Sequence, residues 1–240
     1  MQLNQQTIPS SSLNISALTY HPDSENDLPV VILSHGYTAS KVSLDLIASY
    51  LAQRGYPCLT FDCRGHKLGN SGGSLDSFAD TIDDLNRMAK WGTNFFSRNQ
   101  VVLLGHSMGG LISLASLPTL DSVSAVVAIA VGPRPSHGFQ GPVGRAMLAL
   151  RGDYVNGMDS IVLLESLGTL AENIQYPLSV PSLFIAAKGD VLVKAEYLQQ
   201  MSELSGPTST FELIEGSHLD AADRARGTVA NWLDRQFKSR

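Results

Sequence analysis

Short apolar runs alternate with longer amphipathic ones along most of this chain, and that alternation restricts the fold more than any other feature. The runs at 28–34 (LPVVILS), 56–62 (YPCLTFD), 101–105 (VVLLG), 123–131 (VSAVVAIAV), 181–188 (PSLFIAAK) and 208–214 (TSTFELI) have strand length. Most are nearly continuous in Val, Ile, Leu, Phe and Ala, the pattern of strands buried on both faces. Between them, 41–55 (KVSLDLIASYLAQRG) reads as a helix closed by Gly55. The segment 77–92 (SFADTIDDLNRMAKWG) places Phe78, Ile82, Leu85, Met88 and Trp91 at helical spacings of four and three. Further helices are expected after Ser107, near 196–201 and over 219–237. Strands separated by helices argue for a mostly parallel sheet with helices on both faces. The alternating segment 13–20 (LNISALTY) is expected to add an antiparallel edge strand.

One region breaks the rhythm. Residues 132–180 open on Gly-Pro-Arg-Pro, pass through a Gly-rich stretch at 138–144, and carry two apolar patches, AMLAL (146–150) and IVLLESL (161–167). Long insertions between strands are often binding loops or lids. Residues 1–240 are therefore read as a single domain with a lid-like insert at about 132–180, part of which is ordinary helix packing on the sheet.

The composition narrows the classes. With 240 residues and 43% apolar content the chain can build one large core. A net charge of −5, without long blocks of like charge, gives no support for nucleic-acid or anionic-membrane partners. No apolar run is long enough for a membrane span. The start, MQLNQQTIPSSSLNIS, lacks both the basic and the apolar region of a secretory signal, so a cytoplasmic location is expected. Cys58 and Cys63 lie on one expected strand, ~16 Å apart and on opposite faces, and read as reduced structural thiols. No His/Cys cluster has zinc spacing and no glycine loop fits a phosphate or dinucleotide, so neither metal nor cofactor is expected.

The chemistry concentrates at Gly105-His106-Ser107-Met108-Gly109, where a strand stops, the chain turns sharply and a helix begins. A serine at such a corner exposes its hydroxyl above the sheet edge. The pattern Gly-x-Ser-x-Gly alone is expected by chance roughly 0.2 times in a chain of this composition. It occurs a second time at Gly69-Asn70-Ser71-Gly72-Gly73, where no strand precedes it, and that copy reads as a flexible loop. Ser107 needs a base, and the base needs an acid that fixes its tautomer. In an open parallel sheet both should stand at the carboxyl ends of strands. Of six histidines, His218 is the one that follows the last strand, and Asp190 stands just past the strand before it. The order Ser107, Asp190, His218 is one of the known orders for a catalytic triad.

The other histidines read differently. His106 points away along the turn and is expected to pack or hydrogen-bond beneath it, and His35 is expected to be structural. His21 and His66 lie in loops with no partner pattern. His137 and Tyr37 are candidates to touch substrate. Asp220 and Asp223 open the last helix, where acids suit the dipole. For the oxyanion, the expected donors are the Met108 amide at the helix start and the Tyr37 amide in the loop after 28–34.

With these residues in view, the chain resembles the α/β-hydrolase superfamily over nearly its full length. Within it, the esterase, monoacylglycerol-lipase and serine-aminopeptidase-like group is similar. The matching residues are His35-Gly36, Asp62-Cys63-Arg64-Gly65-His66, the turn at 105–109, Asp190 and His218. Such proteins usually run from the Arg-Gly motif directly into Gly-x-Ser. Here Lys67 and Leu68 intervene, so no role is carried over to the loop 66–73, and Asp62 and Arg64 are expected to set loop structure. The expected function is a serine hydrolase, foremost a carboxylesterase, acting on a small-molecule ester of small to medium acyl or aryl groups. An aminopeptidase, amidase or thioesterase would use the same triad. An aminopeptidase would want acids near the pocket, for which Asp153, Asp159 and Glu165 are available. A non-catalytic binding member of the fold is the remaining class, and the oligomer expected is a monomer or dimer.

Overall fold

The protein is described from a computed structural model that places residues 1–10, 13–24 and 26–238. Eight strands form one sheet: β1 (Gln2–Ser10), β2 (Leu13–His21), β3 (Val30–Ser34), β4 (Cys58–Phe61), β5 (Val101–His106), β6 (Val123–Ile129), β7 (Ser182–Ala187) and β8 (Ser209–Ile214). Their spatial order is β1-β2-β4-β3-β5-β6-β7-β8. From β4 to β8 every pair is parallel, whereas β1–β2 and β2–β4 are antiparallel. The mostly parallel α/β architecture is therefore as the sequence implies. The exception is the edge, because β1 lies outside β2 and makes it an inner strand.

Alternation along each strand divides the core in two. Val101 and Leu103 of β5 face one side with Ile32, Leu59, Val126 and Phe184. Val102 and Leu104 face the other with Val31, Leu33, Val127 and Leu183. The first side is covered by α2 (Phe78–Phe96), α3 (Met108–Ala115) and α7 (Ala195–Leu204), and the second by α1 (Asp45–Gln53) and α8 (Ala221–Phe237). Cys58 and Cys63 are buried, unpaired and divided between the two sides. Among the described residues no helix is long and apolar enough to cross a membrane.

The insert between β6 and β7 contains α4 (Pro135–Phe139), α5 (Pro142–Arg151) and α6 (Ser160–Glu172). These helices differ in how they are held. The inner face of α6 buries Leu163, Leu164, Leu167 and Ala171 in the core, while α5 buries only Gly144. Packing on α3 and α2 at the edge of the core thus accounts for α6, and α4 and α5 stand above it.

The loop after β4, expected to be flexible, is pinned instead. The Lys67 amide donates to the Tyr154 carbonyl, and the Asn156 amide to that of Gly65, each at 2.8 Å. Leu75 exchanges backbone bonds with Asn156 and Met158. The segment 65–75 therefore clamps the turn that joins α5 to α6. Ser71 is 7% exposed, donating to the Asp62 carbonyl at 2.7 Å and accepting from the Ser16 amide at 2.9 Å. It holds the loop to β2 and is unavailable as a nucleophile.

Candidate active site

The strand–turn–helix corner at Ser107 is tight enough to exclude side chains on both flanking glycines. A Cβ on Gly105 would lie 2.3 Å from the Gly109 backbone, and one on Gly109 would lie 2.1 Å from the Ser34 carbonyl oxygen. Such approaches are available only to glycine. Ser107 itself sits at φ 53, ψ −118, and its amide donates to the Ile129 carbonyl at 2.9 Å. The corner thus ties β5, β6 and the end of β3 together under one half-buried hydroxyl.

Two later strand ends meet that hydroxyl. His218, between β8 and α8, places Nε2 3.1 Å from Ser107 Oγ. Its Nδ1 lies 2.8 Å from Asp190 Oδ2, just past β7. An ionised carboxylate only accepts, so Nδ1–H donates to Asp190 and the Nε2 lone pair faces the Ser107 hydroxyl. The other Asp190 oxygen accepts from the Leu192 and Val193 amides, both at 2.8 Å. These bonds fix the carboxylate, whose side chain is 1% exposed, against rotation.

His106 holds this arrangement from below. Its Nε2–H donates to the His218 carbonyl at 2.8 Å, tying the His218 loop to the corner. Burial, aided by His218, pushes its pKa down to about 4. His35 is fully buried and structural: Nε2 accepts from the Cys63 amide at 3.0 Å and Nδ1–H donates to the Gly36 carbonyl at 2.8 Å. Burial, with His66 beside it, lowers its pKa to about 3. His66, expected in an unpartnered loop position, is 2% exposed and packs edge-on against His35 with ring centroids 4.8 Å apart.

On the far side of Ser107 stands the loop after β3. Neither the Tyr37 nor the Met108 amide has an acceptor among the described residues. The loop is anchored by a buried ion pair that the sequence did not disclose. Lys41 Nζ lies 2.6 Å from Asp62 Oδ2, and the Lys41 amide donates to Oδ1 at 2.8 Å. Asp62 also accepts from the Asn70 amide at 2.8 Å. Arg64 is engaged two-pronged by Asp84, at 2.6 and 2.9 Å, so both motif residues serve loop structure as expected.

Two cavities open on Ser107 and His218. An outer one of about 260 Å³ is walled by Tyr37, Phe139, Met147, Leu148, Arg151 and Leu219. An inner slot of about 20 Å³ is walled by Met108, Leu111, Val131, Leu164, Leu167 and Val193. Tyr37 and Phe139 border both. His137 is exposed on α4 and lines neither cavity. Asp153, Asp159 and Glu165 are likewise exposed and line neither. Asp159 caps α6 through the Ile161 amide at 2.8 Å, near enough to Tyr37 to help burial raise the phenol pKa. Among the described residues no cluster of His, Cys, Asp or Glu could hold a metal ion.

The sequence model of one family, serine aminopeptidase S33, matches residues 26–160, from just before β3 through the Ser107 corner into the insert. The chain belongs to the serine aminopeptidase S33 family. Among known relatives of this S33 chain, the quorum-quenching protein AidA of Acinetobacter baumannii is 26% identical over 137 residues, which are 50% of this chain and 45% of that protein. The match therefore spans less than half of the relative. Among solved structures, an esterase of Pyrococcus furiosus superposes with a TM-score of 0.72 at 22% identity, covering 98% of this chain and 88% of the other. Est1E of Butyrivibrio proteoclasticus, solved with ferulic acid bound, gives 0.75 at 17% identity, covering 97% and 98%. At these identities the structural likeness speaks for the α/β-hydrolase fold of the S33 chain.

Proposed function

We propose that the protein is a serine esterase that cleaves carboxylic esters of small to medium acyl or aryl groups through an acyl-enzyme. Ser107 Oγ attacks the ester carbonyl while His218 Nε2 takes its proton, and Asp190 holds the imidazole in the required tautomer and stabilises its charged form. The tetrahedral oxyanion lies between the Tyr37 and Met108 amides, each such donor typically contributing ~3 kcal/mol in the transition state. His218 then protonates the leaving alcohol as the C–O bond breaks. Water, deprotonated by the same base, releases the acid and restores Ser107. Within the insert, α4 and α5 act as the lid, with Phe139, Met147 and Leu148 walling the outer cavity above the nucleophile.

The observation that carries this reading is the continuous contact from Asp190 through His218 to Ser107, at 2.8 and 3.1 Å. The aminopeptidase alternative has less support, since no carboxylate lines either cavity to hold a substrate ammonium. The test is turnover of p-nitrophenyl acetate and labelling by a fluorophosphonate. Both are expected from the native protein and neither from a folded Ser107→Ala variant. Undiminished turnover in that variant removes the assignment. A matched amino-acid anilide cleaved faster than the ester transfers it to the peptidase reading.

A further inference from the structure

The mechanism above uses no cation from the insert, yet one lines the site. Arg151, the last residue of α5, is the single Lys or Arg among the residues lining the two cavities, and no Asp or Glu is among them. It is half-buried, and its guanidinium stands 6.0 Å from the centroid of the Tyr154 ring. Among the described residues no carboxylate pairs with it. Contrast Arg64 and Arg54, each of which has an Asp partner. A guanidinium stays charged, offers five N–H donors in a planar fork, and matches a carboxylate in two-pronged geometry. Placed beside the apolar walls Phe139, Met147, Leu148 and Leu219, it leaves donors that the protein does not satisfy.

The two cavities also differ in what they can hold. The inner slot, at about 20 Å³, has room for one group of about a water's size, and its walls are wholly apolar in side chain except for Tyr37, Ser107 and His218. The outer cavity is about thirteen-fold larger, 260 against 20 Å³. Leu219 and Ala222, which follow the base, line only the outer one, so a leaving group protonated by His218 Nε2 departs there.

We propose that Arg151 is a specificity residue for an ester whose leaving alcohol or phenol carries a carboxylate, joined to an acyl group no larger than acetyl. The inference rests on the esterase reading and specifies its substrate class. The acyl methyl occupies the inner slot, the body of the leaving group lies along Phe139, Met147 and Leu148, and the carboxylate meets Arg151. Ser107 Oγ bonds to the acyl carbon, the bond to the alkoxy oxygen breaks with that oxygen taking the proton from His218, and water frees acetate. The carboxylate takes no part in bond making.

Two aryl acetates of the same shape test this: 4-acetoxybenzoate, which is anionic, and 4-acetoxybenzamide, which is neutral. The native protein is expected to prefer the anionic ester in kcat/KM. Arg151→Met should lower the ratio of anionic to neutral by about ten-fold, mainly through KM, as loss of a hydrogen bond to a charged group requires. Arg151→Lys should retain part of the preference, and added salt should erode it in the native protein but not in Arg151→Met. Thermal melting of each variant establishes that it is folded. If the native protein cleaves the neutral ester and Arg151→Met leaves the ratio unchanged, the anion site is wrong and the esterase reading stands. If it cleaves neither ester, the esterase reading itself fails. Butyryl analogues cleaved as fast as acetyl ones would overturn the inner slot as acyl site.

Discussion

Ser107 is held at φ 53, where residues bearing a Cβ are rare, and strain of this kind costs of order 1–3 kcal/mol. The strain is maintained by the corner around it, since the Ser107 amide bonds Ile129 and both flanking glycines touch backbone. Glycine at this position would relieve the strain at a smaller entropic cost. Ser107→Gly is therefore predicted to raise the free energy of unfolding by about 1 kcal/mol in urea while abolishing ester turnover. A fall in stability would show that the side chain contributes more to packing than its conformation costs. His106 offers a second residue-scale test, because it bonds the His218 backbone and not the atoms that react in the proposed mechanism. His106→Phe keeps the ring and loses the bond to His218, and kcat is expected to fall about five-fold with KM little changed, the size of one neutral hydrogen bond. His106→Gln, which can donate from a similar position, should restore part of it. An equal loss in KM and kcat would mean that His106 shapes the cavity rather than positioning the base. Sequence spacing identified Ser107, Asp190 and His218 as neighbours because each follows a strand. It said only that His106 lay beneath the turn, since a bond across 112 residues has no local signature.

At the scale of elements, the loop carrying the Tyr37 amide depends on the buried pair Lys41–Asp62, whose side chains are 7% and 0% exposed. Removing one partner leaves the other charge unpaired in the interior, which typically costs 3–5 kcal/mol. Asp62→Leu and Lys41→Met are each predicted to destabilise by about that amount in denaturant unfolding, and the double variant by clearly less than their sum. Additive losses would mean that the two residues stabilise the loop separately. Neither residue signals this pairing in sequence, because Lys41 opens what reads as an amphipathic helix and Asp62 ends a strand. Most of the sheet was legible, since most of the six runs are near-continuous in apolar residues, the pattern of strands covered on both faces, and among them only the edge strand β8 is half-buried along its length. β1 was not, because QLNQQTIPS buries only Ile8 and Ser10 and is held by main-chain pairing to β2. Gly92 misled in the other direction. It closes the segment read as a helix, yet α2 runs through it to Phe96, and a Cβ there would meet Ile32 at 2.9 Å. The glycine serves close packing of helix on sheet. The insert was legible as irregular, but its division into a packed α6 and an overlying α4 and α5 depends on contacts with α2, α3 and the 65–75 loop, which periodicity does not encode.

For the whole molecule, the carboxyl end of the sheet buries uncharged histidines immediately beneath the site, and this couples stability to pH. In the folded protein burial lowers the pKa of His106 from 6.5 to about 4 and that of His35 to about 3, and it lowers that of His66 in the same direction. The unfolded chain therefore binds more protons than the folded one as pH falls below about 6.5, so acid favours unfolding. The stabilising effect is fully present above the unfolded pKa and is lost as pH falls toward the folded values. Between pH 7 and 5, shifts of this size remove about 2 kcal/mol for each of His35 and His106. Carboxylates with lowered pKa act in the same direction, but mostly below pH 5, so the window from 7 to 5 isolates the histidines. The melting temperature is expected to fall across that window, and the fall should be reversible on returning to pH 7. His106→Gln or His35→Gln should each flatten the profile by about 2 kcal/mol when unfolding free energies are compared at the two pH values, whatever the substitution does to stability at pH 7. A slope equal to that of the native protein in both variants would place the proton uptake elsewhere.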